Sequence, residues 1–101
     1  MINGQMRPSL NVLLEISLYL PKLKHWVRLA ENLGLREDFI MRVRAGRIAD
    51  DVVALKVLYK WREEKKSSAT GRALFDALVA TSKAVALHFA ERLLGEGEKM
   101  Q

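Results

Sequence analysis

Catalysis needs particular side chains brought within reach of one another, and this sequence offers few. Its two histidines, His25 and His88, stand 63 positions apart, with no HExxH motif and no paired-carboxylate signature nearby. His25 precedes Trp26 and reads as a flank residue of a helix, and His88 reads as a solvent-facing residue of the last helix. There is no cysteine, which removes a thiolate nucleophile, a disulfide framework and a thiolate zinc site. A serine nucleophile needs a base and an oxyanion site. Ser9, Ser67 and Ser82 read instead as helix-start or turn residues, and no G-x-S-x-G elbow is present. Gly95-Glu96-Gly97 has neither a strand before it nor a helix after it, so it is not a phosphate-cradling loop. Glu63 and Glu64 are adjacent on a helix, hence about 100° apart, and suit a solvated face better than an acid–base dyad. The expectation is no enzyme, no catalytic residue, no metal site and no cofactor.

The charge pattern points towards binding. Residues 22–66 hold twelve Lys/Arg against seven Asp/Glu, and this segment carries the whole formal net charge of +5. Such a skew suits nucleic acid, anionic lipid or an acidic protein. A small basic helix-turn-helix domain is the alternative reading, with Arg36, Arg42, Arg44 and Arg47 on or beside its recognition helix. Against it, Glu37 and Asp38 would meet the DNA at that helix's entrance, and no Asn or Gln on it could read adenine. Trp26, Phe39 and Trp61 occupy apolar helical positions, which disfavours a platform for stacked bases.

The elements that position these groups follow from periodicity. A chain of 101 residues, half of them apolar, fits one domain. Residues 1–8 and 95–101 read as flexible ends, leaving 9–94 for a packed unit. No apolar run approaches the ~18 residues needed to span a bilayer. The densest, Leu10 to Leu20, contains Glu15. Leu20-Pro21-Lys22-Leu23 offers no small-residue cleavage site, so a secretory signal is not expected. The absence of cysteine fits a reducing compartment, and a cytoplasmic location is expected.

Alternation of period two is nearly absent, and a 3.6-residue period recurs throughout, giving six helices. The first runs from about Ser9, its cap, to Leu20, with Pro21 as its stop. It has one stripe of Leu10, Leu13, Leu14 and Leu18 and a second of Val12, Ile16 and Tyr19. It is therefore either enclosed or partly covered by a partner, and enclosure is the simpler reading. The second, about Lys22 to Leu33, places Trp26, Leu29, Ala30 and Leu33 inward and ends at Gly34. The third, about Glu37 to Arg44, has acids at its start and Arg42 and Arg44 at its end, with Phe39, Ile40 and Val43 inward. The fourth is capped by Asp50 or Asp51 and reaches about Lys65, with Ala54, Leu58 and Trp61 inward, flanked by Val57. Thr70 caps the fifth, which buries Leu74, Phe75 and Leu78. Ser82 caps the sixth, which turns Ala86, Phe89, Ala90 and Leu93 inward. The expected core is centred on Leu14, Leu18, Trp26, Leu29, Leu33, Ile40, Val43, Ala54, Leu58, Trp61, Leu74 and Leu78. Amphipathic helices of this length are stable mainly through mutual packing, so a compact bundle follows.

The order of several fragments resembles the death domain. Trp26-x-x-Leu29-Ala30-x-x-Leu33-Gly34-Leu35 looks like that family's second helix and turn, and Ile40-x-x-Val43 like the apolar pair of its third helix. Ala54-x-x-x-Leu58-x-x-Trp61 resembles the core of its fourth helix. Ala69-Thr70, with Leu74 and Ala77-Leu78, resembles the entry and core of its fifth. The match spans about Leu10 to Leu94. Where the family often has a serine after Leu-Gly-Leu, this chain has Arg36, whose side chain cannot accept the capping bond.

The resemblance implies an all-α, six-helix antiparallel bundle without catalytic activity, an adaptor-like module for homotypic assembly in apoptotic or innate immune signalling. The implied partner is another death-domain protein or a second copy of this chain, and the +5 charge of residues 22–66 adds the expectation that a partner domain has an acidic surface. Three contact types are implied. One pairs Asn11, Glu15 and Lys56 with Lys24, Arg28 and Glu31 of a neighbour. Another pairs Lys60, Arg62, Glu63 and Lys65 with the turn near Ser82 and Lys83. The last centres on Arg36, Glu37, Asp38 and Arg42.

Overall fold

The computed structural model describes residues 7–20, 23–46 and 50–95. Six α-helices and one 3-10 turn make up its regular structure, and no strand occurs among the described residues. The helices are α1 (Leu10–Ser17), α2 (Leu23–Asn32), α3 (Glu37–Arg44), α4 (Asp50–Lys65), α5 (Gly71–Thr81) and α6 (Lys83–Leu94), with the 3-10 turn at Lys66–Ser68 between α4 and α5. No helix among the described residues is long and apolar enough to cross a membrane.

Local sequence sets most of the helix ends. The Ser9 hydroxyl accepts the Val12 N–H at the start of α1, and the Thr70 hydroxyl accepts the Ala73 N–H at the start of α5. The end of α2 is a Schellman turn. Gly34 takes φ +73°, its N–H donates to the Glu31 carbonyl, and the Leu35 N–H donates to the Ala30 carbonyl. Leu35 is buried beneath that turn. Gly46 takes φ +74° at the end of α3, its N–H donating to the Val43 carbonyl. Arg36 occupies the α3 N-cap without a side-chain cap bond, as its chemistry requires.

α5 and α6 form the most extensive helix pair. α2 packs on α3, α4 and α5, and α1 packs on α4 and α6. The buried apolar residues form one continuous core, with Trp26 and Trp61 its largest members, each only 1% exposed. Leu29, Leu33, Ile40, Val43, Ala54, Leu58, Leu74 and Leu78 join them. The Trp26 indole Nε1–H donates to the Leu20 carbonyl, so the ring is buried with its polar atom satisfied.

Four expectations need correction. Leu14 and Leu18 are not core residues: they are 46% and 74% exposed. α1 is apolar around most of its circumference, so periodicity alone cannot choose its inward face. Leu13, Ile16 and Leu20 fill the core instead, which turns Leu10, Leu14 and Leu18 outward. α1 also stops at Ser17 rather than near Leu20. The Leu18 and Tyr19 N–H groups tighten onto the Glu15 and Ile16 carbonyls, and Leu20 leaves the helix to receive the Trp26 indole. Finally, Ser82 stands at the α6 N-cap but its side chain makes no cap bond. It is the single residue between two helices and closes α5 through its own N–H. Phe75 and Ala90, expected inward, are only half-buried.

The Pro21 stop and Arg47 lie outside the described residues, as do residues 1–6 and 96–101, whereas Asp50 and Asp51 are the first two residues of α4. Arg7 and Pro8 are held against α4: Arg7 Nη2 donates to the Arg62 carbonyl, and Arg62 Nε donates to the Pro8 carbonyl.

Candidate functional site

The side chains considered for chemistry do not form a catalytic arrangement among the described residues. His25 is half-buried on α2 and lines a polar hollow of about 310 Å³ with Lys24, Arg28 and Thr81; its Nδ1 is buried without a hydrogen-bond partner among the described residues. His88 is exposed on α6 and packs against Tyr19 and Phe89, with ring centroids 4.7 and 5.0 Å away. The described residues contain no group of three His, Asp or Glu side chains placed to hold a metal ion.

Charged side chains of the expected contact surfaces fall into two sets, those tied up within the fold and those left open. Glu15 belongs to the first. Its carboxylate receives a forked pair of bonds from the Arg92 guanidinium, linking α1 to α6. The Arg92 bond holds the Glu15 carboxyl below its ordinary pKa, with His88 adding a smaller effect in the same direction. A carboxylate with a depressed folded-state pKa stabilises the fold above its unfolded pKa, and that contribution disappears as pH falls through the folded value. Glu15→Gln should therefore lower the melting temperature slightly at neutral pH. The gap to wild type should close in strong acid. A gap independent of pH would show that the carboxylate's charge is not what Arg92 uses.

Glu31 is likewise taken, by Arg44 at 2.5 Å, and the pair borders a hollow of about 420 Å³ with Lys24, Val27 and Arg28. Arg36 pairs with Asp38 at 3.5 Å. Desolvation alone would raise the Asp38 carboxyl, but the Phe39 N–H and the Arg36 and Arg42 guanidiniums together bring it below its ordinary value. Lys60 reaches Glu64, one turn on, at 3.6 Å. Arg62 is committed to the Arg7–Pro8 segment. The Lys65 ammonium lies over Gly34, beside the carbonyl end of α2, where a cation complements the helix dipole. Of the second expected surface, this leaves Glu63 and Lys83 exposed and Ser82 half-buried.

The open set is mostly basic, with Glu37 and Glu63 its acids. Lys24, Arg28, Arg42 and Lys56 are exposed, and none has a carboxylate within ion-pair distance among the described residues. Asn11 and Glu37 are exposed as well.

A groove of about 480 Å³ lies between α3 and α4. Phe39, Val52, Leu55 and Tyr59 give it apolar walls, and Arg42, Lys56, Lys60 and Glu63 form its rim. The Arg42 guanidinium and the Lys60 ammonium stand 5.9 and 5.8 Å from the centroid of the Phe39 ring. Tyr59 and Glu63 also line a shallower hollow of about 210 Å³ against α1, shared with Arg7, Leu10 and Arg62.

Sequence reasoning placed Arg42, Lys56, Lys60 and Glu63 on outer faces but missed Val52, Leu55 and Tyr59. The signal was present: these three repeat at i, i+3 and i+7, a second apolar stripe on α4 beside the core stripe. Arg44 and Arg92 were missed as partners because nothing local links them to Glu31 or Glu15. Set against known proteins, the chain matches no family model, no curated protein and no solved structure.

Proposed function

We propose that this chain is a non-catalytic protein–protein interaction module of the death-domain type, an antiparallel six-helix bundle that assembles with an acidic death-domain partner in apoptotic or innate immune signalling in the cytoplasm. The observation that carries the reading is the split between spent and unspent charge. The fold pairs Glu15, Glu31, Asp38 and Glu64 internally and leaves Lys24, Arg28, Arg42 and Lys56 open on α2, α3 and α4, where they outnumber the open acids of the same surfaces, Glu37 and Glu63. Those are helices whose residues the death-domain resemblance assigns to contacts. Complementary charge of this kind accelerates encounter and fixes register more than it adds affinity. Contacts between unlike faces that do not close a ring can propagate into a helical assembly.

The test is charge reversal. Arg42→Glu should weaken capture of acidic-surfaced death domains by about tenfold or more, chiefly through a slower association rate, with thermal unfolding nearly unchanged. Surface plasmon resonance against a panel of such domains reads both quantities. Binding that survives reversal on all three expected surfaces would refute the reading. Duplex DNA titrated at rising salt is the control: sequence-discriminating binding at physiological salt would favour a nucleic-acid module instead.

A further inference from the structure

We propose that the α3–α4 groove is a receptor site for a linear partner segment: an amphipathic helix of about three turns whose apolar stripe is flanked by Asp or Glu. Its length follows from α4. The groove-facing residues Val52, Leu55, Lys56, Tyr59, Lys60 and Glu63 fall at i, i+3, i+4, i+7, i+8 and i+11. At about 1.5 Å rise per residue this trough is about 16 Å long, or three turns of a docked helix.

Its composition follows from the lining. Val52, Leu55 and Tyr59 offer a row of apolar surface along α4, with the edge of the buried Phe39 ring beneath Arg42 and Lys60 on the other side, and an extended charged chain would leave that row uncovered. Arg42 from α3 and Lys56 from α4 are the rim cations without a carboxylate partner among the described residues. Carboxylates on both flanks of the incoming stripe would meet them. The rim also has a direction. Lys60 is shared with Glu64, and Glu63 stands at the far end, so the segment's acids belong towards Lys56 and a neutral or basic residue belongs towards Glu63.

Other occupants fit less well. A second copy brings its own +5 charge against a basic rim. A bilayer cannot follow a concave floor, and nucleic-acid phosphates gain nothing from an apolar one. The inference stands apart from the death-domain reading, because it uses only the groove's shape and charge. A folded partner and a linear segment are separate arms of the test.

The probe is a display library of randomised helical peptides selected on the full chain, with parallel selection on the Arg42→Glu/Lys56→Glu double variant. Enriched peptides are expected to carry an apolar i, i+3, i+4, i+7 stripe flanked by Asp or Glu. Their binding should shift the NMR signals of Phe39, Leu55 and Tyr59. Tyr59→Ala and Lys56→Glu should each weaken binding by about tenfold or more, while Asp76→Lys, on α5 outside the groove, leaves it unchanged. Melting curves of each variant separate lost binding from lost fold. Selection that enriches nothing beyond the double-variant control overturns the proposal. So do enriched peptides that lack either acids or the stripe, or signal shifts that map elsewhere. Folded acidic death domains are run against the same variants: their failure with peptide binding intact would refute the assembly reading alone, and the reverse would refute this one alone.

Discussion

Trp61→Ala should cost about 3–5 kcal/mol of folding stability, the range for removing a fully buried large aromatic side chain. The ring is 1% exposed on α4 and stands in the same core as Trp26, Leu29 and Leu58. Two effects add: the lost transfer of an apolar surface from water, and a cavity that the six packed helices can only partly close. A domain of this size has a total stability of about 5–15 kcal/mol, so the variant would keep only part of it. Each kcal/mol lowers the melting temperature by about 4–8 °C in chains of this length. Urea denaturation followed by circular dichroism measures the loss. A value under about 1 kcal/mol would mean that α4 does not present this residue to the core.

Gly71→Ala should also destabilise, and its sign is the informative part. In an exposed helix the change is favourable by up to about 1 kcal/mol, because alanine has the better helix propensity and the less entropic unfolded chain. At the first residue of α5 it meets an obstacle. A Cβ there would stand 1.9 Å from the Leu93 carbonyl oxygen and 2.9 Å from its carbon, both backbone atoms of the last turn of α6. No side-chain rotation relieves that overlap, so one helix end must move. Overpacking of this kind costs about 1–3 kcal/mol, which outweighs the propensity gain. Chemical denaturation reads the sign directly, and increased stability would show that the α5–α6 approach is looser than described. Glycine serves here by having no side chain, unlike Gly34 and Gly46, where it serves a positive φ.

These cases mark what local sequence could and could not specify. The bounds of α3, the end of α4 and the caps of α1 and α5 were legible, because acids at a helix start, a glycine after its end and a Ser or Thr at its entry act within one turn. Most of the core was legible too: Trp26, Leu29 and Leu33 stand on an amphipathic helix with a single credible inward face, and Ala54, Leu58 and Trp61 form one of the two apolar stripes of α4, the one that the fold buries. α1 is apolar nearly all round, so Leu14 and Leu18 could be placed only by knowing where α4 and α6 lie. The requirement for Gly71 was invisible because its neighbour is twenty-two residues away in the chain. The candidate surface divides similarly. That Arg42 and Lys56 are outward was readable from helix phase, but that they face one groove depends on how α3 and α4 pack. Which acids the fold consumes internally is a tertiary fact too: Glu15 looked as available as Glu37 until Arg92 was set beside it.

The α1–α6 link has a kinetic side. Glu15 and Arg92 are 77 positions apart, whereas α5 and α6 are joined by one residue and form the most extensive helix pair. Closing a short connection costs far less chain entropy than closing most of the sequence, so the α5–α6 hairpin should assemble early and the first helix should dock late. Interactions made after the transition state set how long the native state lasts, with little influence on how fast it forms. Stopped-flow measurements on Glu15→Gln should then show faster unfolding with refolding almost unchanged; equal effects on both rates would place α1 in the nucleus. A pair that adds little at equilibrium would thus act as a timer on the escape of the first helix.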